Sequence, residues 1–474
     1  MQVIEGERVT PPRCLFLLRE VHPMAVSAAA SQQRIALQRF GLGPKPGAPA
    51  RIGANAKAMV LAEIAAPQNA LIQGAQLPDY GTACAVGEGP SFEAAENICE
   101  AELRARFAKA MVPEIGFTER LVHFWSNHFS MSTNKAMIVR STYGQLERDV
   151  IRRHVYGRFV DMLKGVLTHP AMIAYLDNAD SVGPNSPAGS WGGLNENLAR
   201  EILELHTVGT GGGFGEADVN QFARVITGWS YVRGWEADNR TNGGTPANRG
   251  RFLFRPDWHE PGTRTVMRRS FAPAAGAGQG MAVLEMLARQ PATAEHIAFK
   301  LVRHFITDQP TATQVAALKK VYLETRGDLA AVSRALVELP ECWSLPLTKL
   351  RTPYEMAIAQ FRAMGAPSVS ADTKWEFRAP LYSLHNMTWE HGPPDGWDDA
   401  TATWLNPDAA RIRLDAAIFY RDVYFKTFTG GVVARAKDLF GEWLSDASRT
   451  AINKGADVRQ RLGLLLTLPE LQRR

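Results

Sequence analysis

Apolar side chains recur at three- and four-residue spacing along most of this 474-residue chain. That period belongs to amphipathic helices and leaves little room for an extended sheet. Residues 54–66, 92–110, 281–289, 292–306, 311–324 and 328–338 carry it, as do 408–427, 431–445 and 456–466. Thr118 stands where a cap would open a helix through Leu121, Val122 and Trp125. Residues 142–167 read as a long helical stretch broken at Gly157, and Pro353 opens a helix towards Met364. A Gly/Pro/Ser-rich loop at 180–193 precedes a helix at 195–208, which glycines stop, and another at 217–229. Residues 231–250 are polar and read as a long loop. The best extended pattern is Arg251-Phe252-Leu253-Phe254-Arg255 and Arg264-Thr265-Val266-Met267, flanking a turn with Pro256, Pro261 and Gly262. The expected class is therefore mainly α: a large multi-helix globular fold with one small β-hairpin near 251–267. With 45% apolar and 21% charged residues, such a chain buries a large core without disulfides or metals. Residues 1–30 are expected as a poorly ordered extension and 31–474 as one large helical domain, with a weak seam at 345–352.

Lys and Arg number 53 and Asp and Glu 48, a net charge of +5. Dense basic pairs such as Arg152-Arg153 and Arg268-Arg269 are few away from the termini, so no nucleic acid is expected as a partner. No run approaches the roughly 18 apolar residues of a membrane span. Near the start, Arg13 precedes only five apolar residues before Arg19, Glu20 and His22 interrupt, too few for a signal core. A cytoplasmic location is expected on that ground, with Met24 as an alternative start. The four cysteines, Cys14, Cys84, Cys99 and Cys342, form no C-x-x-C pair, which argues against a structural zinc finger. They read as small buried hydrophobes, and a Cys84–Cys99 bridge stays open.

Four constellations could carry chemistry. His123-Phe124-Trp125-Ser126-Asn127-His128 places two histidines five apart, about 140° around a regular helix, so they cannot share one ion, whereas His123 and Asn127 share a face. In Asn195-Glu196-Asn197-Leu198-Ala199-Arg200-Glu201-Ile202-Leu203-Glu204-Leu205-His206-Thr207, an apolar stripe faces a core. Glu196, Arg200 and Glu204 follow at four-residue steps, as in two surface ion pairs, and Asn195, Glu201 and His206 stand at the apolar border. Gly209-Thr210-Gly211-Gly212-Gly213 fails every phosphate-loop spacing and reads as a helix stop open to a ligand's approach. Asp257-Trp258-His259-Glu260 puts a histidine beside a carboxylate on a tight loop. Neither G-x-S-x-G nor H-E-x-x-H occurs.

Several strings together resemble the bacterial DUF1800 family: Phe124-Trp125-Ser126-Asn127-His128-Phe129, His169-Pro170-Ala171-Met172 with Tyr175-Leu176-Asp177-Asn178, the Asn195–Thr207 segment, and Thr227-Gly228-Trp229. Lys300-Leu301-Val302-Arg303-His304-Phe305, Arg351-Thr352-Pro353-Tyr354-Glu355 and Gly396-Trp397 continue the resemblance over about residues 36–425. The chain departs from the family in having Glu260 after His259 where Asp is usual, Arg264 where Lys is frequent, and His385-Asn386 where Gly-Gln is frequent. The resemblance implies no established reaction. It implies export, which the N-terminus does not support, and a DUF1501-like partner.

Two functional readings follow. In the first, an enzyme, hydrolytic or metal-assisted, is built around the 195–207 helix. Its catalytic candidates are Glu201, Glu204, His206, His259 and Glu260, and its binding candidates are His123, Asn127, His128, Asn195, Arg200 and Trp229. A divalent metal is left open, with His128, His206 and His259 as ligands. In the second, a non-catalytic protein binds a partner protein or glycan through the 231–250 and 385–404 loops, the latter with Trp389, Trp397 and Trp404.

Overall fold

The computed structural model describes residues 26–74, 76–365, 374–425 and 428–474. Cys14 and most of the expected N-terminal extension lie outside the described residues. Residues 28–30, assigned to that extension from sequence, already belong to a helix, Ala28–Ile35, capped by Ser27.

The chain is mainly α, as its period requires. Helix α1 (Phe92–Met111) begins where the Ser91 hydroxyl accepts from the Ala94 N–H. Helix α2 (Phe117–His128) is buried around nearly its whole circumference and carries His123, Asn127 and His128. Its cap is Gly116 at φ 96°, not Thr118, whose N–H donates to the Glu63 carboxylate at 2.9 Å. Helix α3 (Met137–Leu146) runs on through a π turn, and the chain breaks near Gly157 before resuming as α4 (Phe159–Leu167). Helix α5 (Asn197–Glu201) also passes into a π turn, Ile202–His206. The chain continues through α6 (Glu216–Val225), α7 (Gly278–Ala288), α8 (Pro291–Phe305), α9 (Ala312–Glu324), α10 (Pro353–Met364) and α11 (Pro407–Phe425). Their buried apolar side chains form one contiguous cluster from Ala30 to Leu471.

The two extended segments are strands, but they do not pair with each other. Strand β1 (Trp229–Tyr231) is antiparallel to β2 (Phe252–Phe254), with Trp229 opposite Phe254, and β3 (Arg264–Val266) is antiparallel to β4 (Arg269–Phe271). The single hairpin expected at 251–267 is thus two separate ribbons. The physical cause lies in the turns. Met267 and Arg268 both take positive φ, 48° and 63°, which closes β3 tightly onto β4. Meanwhile His259 and Glu260 bond back to Thr227 and hold the intervening segment away from a hairpin. The 231–250 segment is not structureless either: it contains a short helix, Gly234–Asn239, and a 3₁₀ turn, Pro246–Asn248.

Buried arginines tie distant segments together. Arg362 on α10 donates to the carbonyls of Gly43, Ala110, Pro113 and Glu114. Arg120 on α2 and Arg474 both reach the Glu355 carboxylate at 3.0 Å. Cys84, Cys99 and Cys342 are free and buried, and burial pushes each thiol up to about 12, so they are inert small hydrophobes. Among the described residues no helix is long and apolar enough to cross a membrane.

Candidate functional site

Helix α8 opens at Pro291 and places His296, Lys300 and His304 at successive four-residue steps, one above the other on a single face. That face forms a wall of a cleft of about 970 Å³. The cleft is also lined by Asn127 and His128 from α2, Glu204 and Leu205 from the π turn, Val208 to Gly211 from the glycine loop, Lys319 from α9, and Asp395 to Asp399. The glycine-rich stop therefore does border a ligand-sized space, with Gly209 against the His296 ring.

Burial favours the neutral form of each histidine in this region, and where a ring nitrogen is bonded its partner assigns the tautomer. His296 donates Nδ1–H to the Thr207 carbonyl at 2.8 Å, which leaves Nε2 as an acceptor. Burial, then Lys300, pulls its imidazolium down to about 4. His128 donates Nε2–H to the His206 carbonyl at 3.2 Å, and its Nδ1 has no partner. The His128 ring stands 6.1 Å from both the His206 and His296 rings. His206 is fully buried, with neither nitrogen bonded, and burial holds it down to about 3. His304 accepts from Arg120 at Nε2 and donates from Nδ1 to Asp399, both at 3.0 Å, so its two nitrogens are committed.

Lys300 differs from all of these. It is half-buried in the cleft wall and makes no hydrogen bond or ion pair among the described residues. Burial draws its ammonium down to about 8, against the opposing pull of Asp399. The neighbouring charges of the cleft are mostly paired, Arg303 with Asp398 and Lys319 with Glu295.

A smaller chamber of about 90 Å³ adjoins the cleft and shares Asn127, His304, Trp397 and Asp399 with it. Asn127 forms that wall by a two-way bond: its Nδ2 donates to the Trp397 carbonyl at 2.9 Å, and its Oδ1 accepts the Trp397 N–H at 2.8 Å. His123 faces the chamber and His128 the cleft, as their angular separation on a helix demands. A second open cleft, of about 1330 Å³, is lined by Asn195, Glu196 and Asn197, by Asp177 and Asp180, and by Tyr231 to Trp235.

A model of the family described as "Protein of unknown function (DUF1800)" matches residues 35–473. The chain belongs to the DUF1800 family. No curated protein and no solved structure matches it. The DUF1800 match extends the resemblance read over 36–425 to nearly the whole chain.

In this DUF1800 chain the residues singled out from sequence do not converge on one site. Asn127, His128 and Glu204 line the cleft, with His206 buried behind His128. Asn195 lines the second cleft, where its Oδ1 accepts from Asn197 N–H and its Nδ2 donates to the Asp177 carbonyl. Arg200 lies in a surface ion cluster with Glu196, Glu204 and Glu216, the plain ion pairing its spacing implied. Glu201 is half-buried and raised by burial, then by Glu204, yet lines none of these spaces. Trp229 is fully buried, against Gly280 and the Phe252 ring, so it is core.

His259 and Glu260 lie elsewhere, against Thr227. Glu260 is buried. Burial acts to raise its carboxyl, but Asn185, then Arg224, hold it below the usual range. It takes bonds from Asn185 N–H and Nδ2, Arg224 and Arg264. Glu260 and Arg264 thus meet in one ion pair, a structural anchor. His128, His206 and His259 are not brought together, and among the described residues no group of three His, Cys, Asp or Glu side chains is placed to hold a metal ion. The sequence reading missed His296 and Lys300 as site residues. The signal was present in the i, i+4, i+8 spacing of His296, Lys300 and His304.

Proposed function

We propose that the Lys300 cleft is the active site of a hydrolytic enzyme in which the uncharged Lys300 amine serves as general base. The observation that carries this reading is an amine in a cleft wall with no carboxylate or carbonyl bound to it, four residues from a neutral histidine held by a backbone carbonyl. A desolvated lysine surrenders its proton near neutral pH and can then take one from a water or hydroxyl in the cleft. His296, oriented by Thr207, supplies an acceptor at Nε2, and Glu204 supplies a carboxylate at the same cleft. The test is a panel of esters and glycosides with the wild-type chain, Lys300→Met and His296→Gln. The expected rate rises with pH through about 8, because only the neutral amine is active, and falls by roughly 10²–10⁴ in Lys300→Met. Retention of the wild-type rate by Lys300→Met overturns the assignment.

One observation favours the binding reading as the alternative. Trp235 is 54% exposed beside the second cleft, which the 231–250 segment lines. An open aromatic ring among carboxylates and amides suits a sugar face. In the other loop Trp389 and Trp404 are buried and Trp397 is half-buried, which makes the more exposed ring, on the 231–250 side, the stronger glycan candidate. Loss of glycan retention in Trp235→Ala, with Lys300→Met unaffected, would distinguish this reading from the first.

A further inference from the structure

We infer that the small chamber beside the cleft is a binding site for a small carboxylate of the size of formate or acetate. This does not depend on the chemistry proposed for Lys300. The chamber's 90 Å³ equals the space of about three water molecules. Its wall holds four polar atoms that are buried and without a protein partner: Arg106 Nη1, His123 Nδ1, His123 Nε2 and Thr388 Oγ1. Arg106 is 4% and His123 8% exposed, so solvent outside the protein does not serve them. Buried donors left unmet oppose folding, and a ligand that meets them is held correspondingly well.

The sign of the ligand follows from the charges around it. Arg106 gives its Nε to Glu147 at 2.8 Å, and Nη1 is left over. The two carboxylates on the wall are already engaged, Glu355 by Arg120 and Arg474, and Asp399 by His304 and Arg474. Around His123 the charged neighbours that act on the ring, Arg106, Arg152 and Arg120, are cationic. A negative ligand therefore enters a favourable field and meets donors, where a cation meets neither.

The shape follows from the rings. Arg106 Cζ stands 4.5 Å from the Tyr354 ring centroid and 5.7 Å from that of Trp389, so the guanidinium edge is presented between flat walls. A planar carboxylate matches this slot, with one oxygen on Arg106 Nη1 and the other on the Thr388 hydroxyl.

The experiment is calorimetric titration of the full chain with sodium acetate and sodium formate, against sodium chloride at equal ionic strength. Saturable binding of both carboxylates, absent with chloride, is expected. Thr388→Val should weaken it by roughly tenfold. Because the Thr388 hydroxyl has no protein partner to lose, that variant folds as the wild type does, and it keeps the test valid if His123→Phe, which fills the chamber, fails to fold. Lys300→Met should bind acetate as the wild type does. A chamber that holds only water, seen as no saturable signal beyond chloride, overturns the inference. So does carboxylate binding of equal strength in the wild type and Thr388→Val.

Discussion

Lys300 and Glu355 are both shielded from water, and they answer that shielding in opposite ways. Lys300 makes no ion pair among the described residues, and burial outweighs the pull of Asp399, so its proton is loosened. At pH 8 about half of it is neutral, a fraction about a hundredfold larger than for a lysine at 10.5. It should therefore be the lysine most rapidly acylated by a small activated ester at pH 8, read by peptide mass spectrometry, with the advantage lost at pH 10.5. Equal labelling of all lysines at pH 8 would remove the base from the site. Glu355 has the opposite fate. Burial acts to raise it, but Arg120, then Arg474, bring it down to about 2. Its folded value lies below its unfolded one, so its contribution is complete above about 4.5 and is lost as pH falls through about 2. That contribution is about 3 kcal/mol, and urea unfolding across this window should register it. Glu355→Gln at neutral pH leaves two buried guanidinium groups short of charge and should destabilise by about 3–5 kcal/mol.

Among elements, closeness of approach matters more than helix length. A Cβ on Gly144 of α3 would lie 2.3 Å from Glu102 Cβ on α1, and one on Gly280 of α7 would lie 2.3 Å from the Trp229 ring. Gly144→Ala and Gly280→Ala should each destabilise by about 1–3 kcal/mol in thermal or urea unfolding, although alanine is the better helix former. The π turn at Ile202–His206 is the second decisive feature. It widens the backbone after α5 and brings His206 into the core behind His128, a position that regular helical spacing from Glu201 does not anticipate. The strands show the same limit. Three-residue strands carry almost no register signal of their own, and the partner of Phe252–Phe254 lies more than twenty residues upstream.

Over the whole molecule the two spaces around α2 share a wall in which Asn127 is latched to the Trp397 backbone. Asn127→Ala removes both bonds, about 1 kcal/mol each. Amide exchange at Trp397 should then quicken by roughly tenfold, while amides of α10 exchange as before. Unchanged exchange at Trp397 would mean that the neighbouring ring contacts hold the loop on their own. The helix set, the break at Gly157, the helix opening at Pro353, the surface ion pairs of Arg200 and the DUF1800 membership were all legible in the sequence. Each depends on neighbours within a turn or two, or on strings of residues, and local physics leaves a local trace. The spacing of His296, Lys300 and His304 was legible in the same way. Tertiary structure alone decided that Lys300 lacks a partner, that Glu260 is an anchor and Trp229 is core, and that His123 and Arg106 share a chamber. Those properties are set by which atoms from remote segments arrive within bonding distance and how much water they exclude, and neither is written in the order of residues along one helix.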